Sequence, residues 1–357
     1  PLVRALLRDH PGAYILLTHS TPTGRAAGEA IFGGAVARAY LPYDLPWLLR
    51  RFLRRARPGL GIVMETEIWP NLAAICQASD VPLYLVNARL SERSARGYRR
   101  VRPLVAATLK AYTGVIAQSE ADAARLRELG ACAVTVVGNL KFDVAAHADS
   151  ARQADALRAL IGARKVWLAA STREGEEALM IEAWRHLGRR DVLLLIVPRH
   201  PQRFEDVACL LREADPGLVR RSENRTVPAE CGLMLGDSMG EMAAYYTLCD
   251  IAFIGGSLLP LGGQNLIEAA QAGKPVLIGP YTWNFREAAE EAVAAGAARR
   301  VETPAALAAA VRDLLDDASA CARMADAGRA FAARHRGATQ RTLVALRDGL
   351  ARISSAL

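Results

Sequence analysis

Residues 251–278 read IAFIGGSLLPLGGQNLIEAAQAGKPVLI, and this stretch decides the fold. An apolar run, Ile251–Ile254, stops at the glycine pair Gly255-Gly256. A second pair, Gly262-Gly263, precedes a helical pattern opening near Asn265, and a further apolar run, Pro275–Ile278, closes the unit. Strand, glycine turn, helix, strand is the repeating element of a parallel sheet covered on both faces. Paired glycines such as Gly255 and Gly256 let backbone amides approach a ligand closely. A helix opening at Asn265 would aim its amide end at a phosphate. Glu268, one turn in, offers two acceptor oxygens to a ribose diol. A plain glycine-rich turn gives part of this pattern; the register of Asn265 and Glu268 with both glycine pairs points to a nucleotide.

The same alternation extends both ways. Apolar runs at Tyr14–Leu17, Gly61–Met64, Leu83–Val86, Val115–Ala117 and Val134–Val137 form one block. Val166–Ala169, Val192–Val197, Gly232–Leu235, Ile251–Ile254 and Pro275–Ile278 form another, each run followed by a helical stretch. One helix is framed by Ser119 as N-cap and Gly130 just past its end. The polar, alanine-rich stretch Asp143–Asp155 separates the blocks and reads as a linker. The expected fold is therefore α/β, with two doubly wound Rossmann-like parallel-sheet domains, residues 1–145 and 146–357, facing a cleft. The last helical segment, from about Ser319, could pack on either domain.

Composition excludes other classes. Of 357 residues 52% are apolar and 23% charged, which rules out disorder, and no apolar run approaches a membrane-spanning length. Six scattered cysteines, without a CxxC pair, fit a reducing compartment and argue against structural zinc. There is no GxGxxG after the first strand, no GxxxxGK[ST], no GxSxG and no HExxH. Residues 1–150 hold 19 Lys and Arg against 12 Asp and Glu, a net +7, while residues 151–357 hold 26 against 25, a net +1. The first half is therefore expected to meet something anionic. In Pro46–Arg57, Leu48, Leu49, Phe52, Leu53 and Ala56 share one helical face and Arg50, Arg51, Arg54, Arg55 and Arg57 the other. This reads foremost as an amphipathic helix packed on its own sheet, with arginines free to touch lipid headgroups.

Candidate chemistry collects at strand ends, where such folds place ligands. Glu65-Thr66-Glu67 follows Gly61–Met64, and Glu67 can orient hydroxyls or stabilise positive charge on a sugar. Its other reading is a cap on the helix begun near Pro70. Pro198-Arg199-His200 follows Val192–Val197; Arg199 offers a planar donor fork for phosphate, and His200 reads equally well as structural. Asp237-Ser238-Met239-Gly240-Glu241 and Ser171-Thr172-Arg173-Glu174-Gly175-Glu176 follow their strands in the same way, outlining one nucleotide pocket in the second domain. In the first domain, Thr21-Pro22-Thr23-Gly24, Asn87-Ala88-Arg89-Leu90-Ser91 and Gly138-Asn139-Leu140-Lys141 also end strands, and Lys141 lies beside the linker. Arg89 and Arg93 could equally be a solvated helix start. Glycines and carboxylates at strand ends, rather than a basic aromatic surface, disfavour nucleic acid as a partner.

The strings METEIWPN, NARLSERSARGY, GNLKFD, PRHPQRF, LGDSMGE and GGSLLPLGGQNLIEAAQAGKP, in this order between Tyr14 and Phe285, resemble the 3-deoxy-D-manno-octulosonic acid (Kdo) transferases. The resemblance implies an inverting, metal-independent glycosyltransferase of GT-B fold with no cofactor. It moves Kdo from CMP-Kdo to the lipid A precursor (lipid IVA) at the cytoplasmic face of the bacterial inner membrane, in lipopolysaccharide biosynthesis. It implies CMP contacts at Arg199, His200, Met239, Gly240, Asn265 and Glu268, a pocket lining at Ser171, and sugar-positioning roles for Glu67 and Lys141. Gly256 joins the nucleotide set, and Thr21, Thr23, Arg89 and Ser91 the expected acceptor set. Arg173 and Gln264 stand where the family often has His, and Ala269 where Pro often follows the glutamate. The family's membrane anchor and its Ser-x-Gly-Glu general base are expected upstream of Pro1, so residues 1–357 alone are expected to bind CMP but transfer Kdo poorly. The rival readings are a UDP-sugar GT-B transferase and a catalytically incomplete nucleotide- or lipid-binding module.

Overall fold

The computed structural model describes residues 1–143 and 149–354. They form two compact units, one of Pro1–Val144 with His335–Leu357, the other of Ala145–Arg334. The chain thus returns to the first unit at its last helices. Residues 144–148, within the expected linker, lie outside the described residues; the rest of that stretch includes the start of a helix, Ser150–Ile161.

Unit 1 contains β1 (Leu16–His19), β2 (Ala37–Tyr40), β3 (Gly61–Met64), β4 (Leu83–Ala88), β5 (Gly114–Ala117) and β6 (Val134–Val136). β1 and β2 pair in parallel, and β3 to β6 form a second parallel sheet in sequence order. β4 and β5 are buried along their whole length, which is why they read as unbroken apolar runs. On one face, Leu49 and Leu53 of helix Pro46–Ala56 pack with Val63, Leu72 and Leu85. On the other, Tyr84, Val86 and Ile116 meet Ala338, Leu343 and Leu346 from the returning C-terminal segment. Ser119 Oγ accepts the Asp122 N–H at 3.1 Å, capping helix Glu120–Glu128 as its sequence indicates.

Unit 2 contains β7 (Lys165–Thr172), β8 (Val192–Pro198), β9 (Val219–Arg220), β10 (Leu233–Leu235), β11 (Ile251–Ile254), β12 (Val276–Ile278) and β13 (Ala298–Arg300). They make one parallel sheet in the order β13-β12-β11-β7-β8-β10-β9. The chain runs from β7 outward through β8, then resumes at β11 on the other side of β7. The point between β7 and β11 is therefore a topological switch, and ligands of such sheets bind outside the carboxyl strand ends there.

Three strands escape a reading based on apolar runs. β2 (Ala-Arg-Ala-Tyr), β9 and β13 are two to four residues long and carry arginines, and β9 and β13 are sheet edges whose outer side faces no further strand. β1 begins at Leu16 rather than Tyr14, because Leu16 is the first residue in register with β2 and Tyr14 is exposed. The helix expected to open at Asn265 begins at Ile267 and is five residues long.

Candidate active site

In unit 2 the loops after four adjacent strands, β11, β7, β8 and β10, carry the polar residues. β7 ends in a bulge: its register with β8 shifts between Ala170 and Thr172, and Ser171 sits at φ +57°. A Cβ on Gly255 would come within 2.6 Å of Ser171 O and Thr172 Cα, so glycine is required where β11 ends against this bulge.

The amides after β11 already have an anionic partner within the chain. The buried Glu176 carboxylate accepts N–H groups from Gly256, from Ser257 at 3.0 Å, from Leu258 at 3.1 Å and from Arg173 at 3.0 Å. Burial holds its pKa above the usual carboxylate range, assisted by neighbouring Glu177, although the amides oppose the shift. The Gly256 N–H is therefore committed to Glu176, and a nucleotide can meet this residue through its other backbone atoms. Next in the chain, Glu177 accepts the Thr172 hydroxyl at 2.7 Å and a two-pronged bond from Arg203 at 2.8 and 2.9 Å.

With Arg203 committed, two guanidinium groups remain. Among the described residues, the side chains of Arg173 and Arg199 have no hydrogen-bond or ion-pair partner. Burial lowers the pKa of His200, and Arg173, Arg199 and Arg203 lower it further. The shift favours the uncharged ring of the exposed His200 beside these cations. Across the switch point, Asn265 donates to Glu268 Oε1 at 2.8 Å and accepts the Ile267 N–H at 3.1 Å. Asn265 thus aims the carboxylate and takes the first amide of the short helix, the end that the sequence suggested for a phosphate. After β10, Met239 is 63% exposed and Gly240 has open space where a side chain would stand. Asp237 and Glu241 flank this loop. Burial raises their pKa values, but Ser222 and Arg220 at Asp237, and Ser238 and Arg221 at Glu241, outweigh it and hold both below their ordinary range.

In unit 1 the carboxyl end of β4 repeats the bulge. β4 shifts register between Val86 and Ala88, with buried Asn87 at φ +54°. Asn87 Oδ1 accepts the Leu140 N–H at 3.0 Å, fixing the loop that carries Lys141. Lys141 Nζ lies 3.3 Å from Glu65 Oε1, and Glu65 itself has φ +60°. Left-handed backbone at a residue with a side chain costs about 1–3 kcal/mol and collects at functional sites. Glu67 is exposed and accepts the Trp69 indole N–H at 3.1 Å. Glu65, not Glu67, is therefore the carboxylate paired with Lys141. Two of the three hydroxyls expected at the acceptor have structural work: Thr21 Oγ1 caps helix Pro22–Phe32 through Gly24 N, and Ser91 Oγ caps helix Glu92–Arg99 through Ser94 N. Thr23 lies 3.3 Å from Thr21 through their hydroxyls, and Arg89 is half-buried.

Two Rossmann-like parallel-sheet units with polar strand-end loops define the GT-B fold class. The family profile described as "3-Deoxy-D-manno-octulosonic-acid transferase (kdotransferase)" matches residues 1–144, and "Glycosyl transferases group 1" matches residues 177–331. The chain is 45% identical to the 3-deoxy-D-manno-octulosonic acid transferase of Bordetella pertussis over 98% of its own length and 84% of the relative's. It is 38% identical to that of Haemophilus influenzae over 99% and 84%. The chain belongs to the Kdo transferase family. In fold it is also similar to a Listeria monocytogenes putative UDP-N-acetylglucosamine 2-epimerase, with TM-score 0.60 at 17% identity, covering 98% of this chain and 92% of that one.

Proposed function

We propose that this chain transfers Kdo from CMP-Kdo to the lipid A precursor (lipid IVA), the nucleotide being held by unit 2 and the acceptor by unit 1. The observation that carries the nucleotide reading is the pairing, at adjacent parallel strand ends, of partnerless Arg173 and Arg199 with an Asn265-oriented Glu268. Arginine forks suit a phosphate, and an oriented carboxylate suits a ribose diol. In the reaction the acceptor hydroxyl attacks the anomeric carbon of Kdo and yields its proton to a general base, while the bond from that carbon to the CMP phosphate oxygen breaks and CMP departs from the opposite face. Arg199 and Arg173 offset charge growing on the departing phosphate, and the His200 ring offers a hydrogen bond beside them. Ser171, Met239, Gly240 and Gly256 complete the pocket wall. Lys141 meets the Kdo carboxylate, Glu65 and Glu67 steady positive charge at the anomeric centre, and Thr21, Thr23, Arg89 and Ser91 border the acceptor.

Calorimetry tests the nucleotide first. CMP should bind without added metal, and Glu268→Ala should weaken it by about 1–3 kcal/mol through loss of charged hydrogen bonds. UDP bound in preference to CMP would favour a UDP-sugar transferase, and an unchanged Kd in Glu268→Ala would remove the ribose role.

The acceptor reading carries a membrane expectation. Among the described residues no helix is long and apolar enough to cross a membrane. Helix Pro46–Ala56 buries Leu49 and Leu53 in its own unit, so its apolar face is occupied. Arg50, Arg51, Arg54 and Arg55 remain exposed, with Trp47 62% and Tyr43 82% exposed just before them. Arginines with interfacial aromatics suit an anionic lipid surface at the cytoplasmic face of the inner membrane. Vesicle binding should rise with anionic lipid, fall with salt, and drop when these four arginines are changed to glutamate. Equal binding to neutral and anionic vesicles would leave them as a solvated face.

A further inference from the structure

Helix Glu92–Arg99, which follows β4 in unit 1, contains a glycine that packing does not explain. Gly97 has nothing within 4 Å of where a Cβ would stand and lacks a positive φ. Glycine inside a helix is unfavourable relative to alanine, so this position gives up helix stability without any internal steric reason. The face around it, formed by Arg93, Arg96, Gly97 and Arg100, is a shallow depression open to solvent. These arginines stand at i, i+3 and i+7 on one face, where like charges repel. Among the described residues, none of the three side chains has a hydrogen-bond or ion-pair partner. The nearby carboxylates go instead to Arg99, which binds Glu128 at 2.8 and 2.9 Å and Glu92 at 3.2 Å. The helix thus brings together an exposed glycine and three solvated arginines that no carboxylate among the described residues neutralises.

We infer that this hollow is a phosphate subsite, with Gly97 as its floor and Arg93, Arg96 and Arg100 as its donors. Its ligand class is a phosphate monoester on the sugar headgroup of the acceptor, and the inference rests on the acceptor reading above. Guanidinium forks match phosphate oxygens in pairs, and absence of a Cβ lets the anion sit close to the helix surface. The rise of about 1.5 Å per residue spreads the three arginines over about 10 Å, enough for one phosphate and the adjoining sugar.

The test uses inorganic pyrophosphate as probe, by calorimetry on the whole chain, with CMP titrated separately. The Arg93→Ala/Arg96→Ala variant should bind pyrophosphate at least about tenfold more weakly while binding CMP as before. Gly97→Ala gives opposite signs: it should weaken pyrophosphate several-fold yet raise the melting temperature by about 2–4 °C. In transfer assays of the intact protein, the double variant should raise KM for the phosphorylated acceptor and leave KM for the same acceptor without its phosphate unchanged. Unchanged pyrophosphate binding in the double variant, or Gly97→Ala that neither weakens the probe nor raises stability, would overturn the subsite. So would a double variant that loses only its binding to phosphatidylglycerol vesicles, which would make the stripe a membrane contact. Failure of CMP to bind while pyrophosphate binding follows these variants would overturn the donor reading and leave the subsite standing.

Discussion

Glu176→Ala is expected to cost unit 2 about 3–5 kcal/mol, the largest stability loss of any single substitution at the site. One carboxylate accepts four backbone N–H groups, from Arg173, Gly256, Ser257 and Leu258, in a position with no exposed surface. Each buried donor left without an acceptor costs about 1–3 kcal/mol, and their shared geometry keeps the sum below simple addition. Glu176→Gln should recover little, since its amide group turns donors toward donors. Urea unfolding followed through Trp167 and Trp184, both in unit 2, measures this; a loss under about 1 kcal/mol would show that water replaces the carboxylate at small cost. The raised pKa also has a sign. A carboxyl raised in the folded state adds stability below its unfolded pKa and loses it as pH climbs through the folded value. Asp237 and Glu241, both lowered, behave oppositely: their contribution is present above the unfolded pKa and is lost as pH falls through the folded one.

Lys141→Ala should lower kcat for Kdo transfer by about 10²–10³-fold in the intact protein, with the Kd for CMP changed less than about twofold. Lys141 and Glu65 are each about two-fifths exposed, and as a surface ion pair their contact is worth at most about 1 kcal/mol. Such a pair would not by itself require the strained Glu65 backbone, nor the buried Asn87 that holds the Leu140 amide. Positioning a cation for chemistry would. Lys141→Arg should regain part of the rate, and Glu65→Gln should cost more than Glu67→Gln, whose carboxylate is engaged by Trp69. A kcat within about threefold of wild type in Lys141→Ala would reduce the contact to an ordinary surface pair.

How much of this was legible in the sequence follows from the range of the interactions. β3 and β11 have the bounds their apolar runs indicate, because both end in a sharp change of residue type, at Glu65 and at Gly255. β9 and β13 are edges too short and too polar to stand out. At the site, Asn265 and Glu268 lie three residues apart and their partnership could be read locally. The bond from Gly256 to Glu176 spans 80 positions. The acidic pair Glu176-Glu177 at a helix start was visible, but nothing local shows that one member turns to the β11 loop and the other to Arg203. The glycine pair therefore read as amides open to a ligand, although folding commits one of them to Glu176. The sequence leaves open which of Glu65 and Glu67 meets Lys141, because the pairing with Glu65 depends on a left-handed turn that residue type does not announce.

The two bulges impose a condition on chain length as well as on residue type. Side chains in a strand alternate between faces, so one extra residue reverses the parity of everything after it. At the end of β7 that reversal is what lets Thr172 reach Glu177, and in β4 it sets the side chain of Asn87 toward Leu140. Removing one residue from either strand would straighten the ladder and still turn these groups the wrong way. Replacement of Ser171 by another residue at ease in left-handed backbone, such as asparagine, would keep the count. At these two strand ends a gap is the change the protein cannot absorb, whereas a substitution can be tolerated.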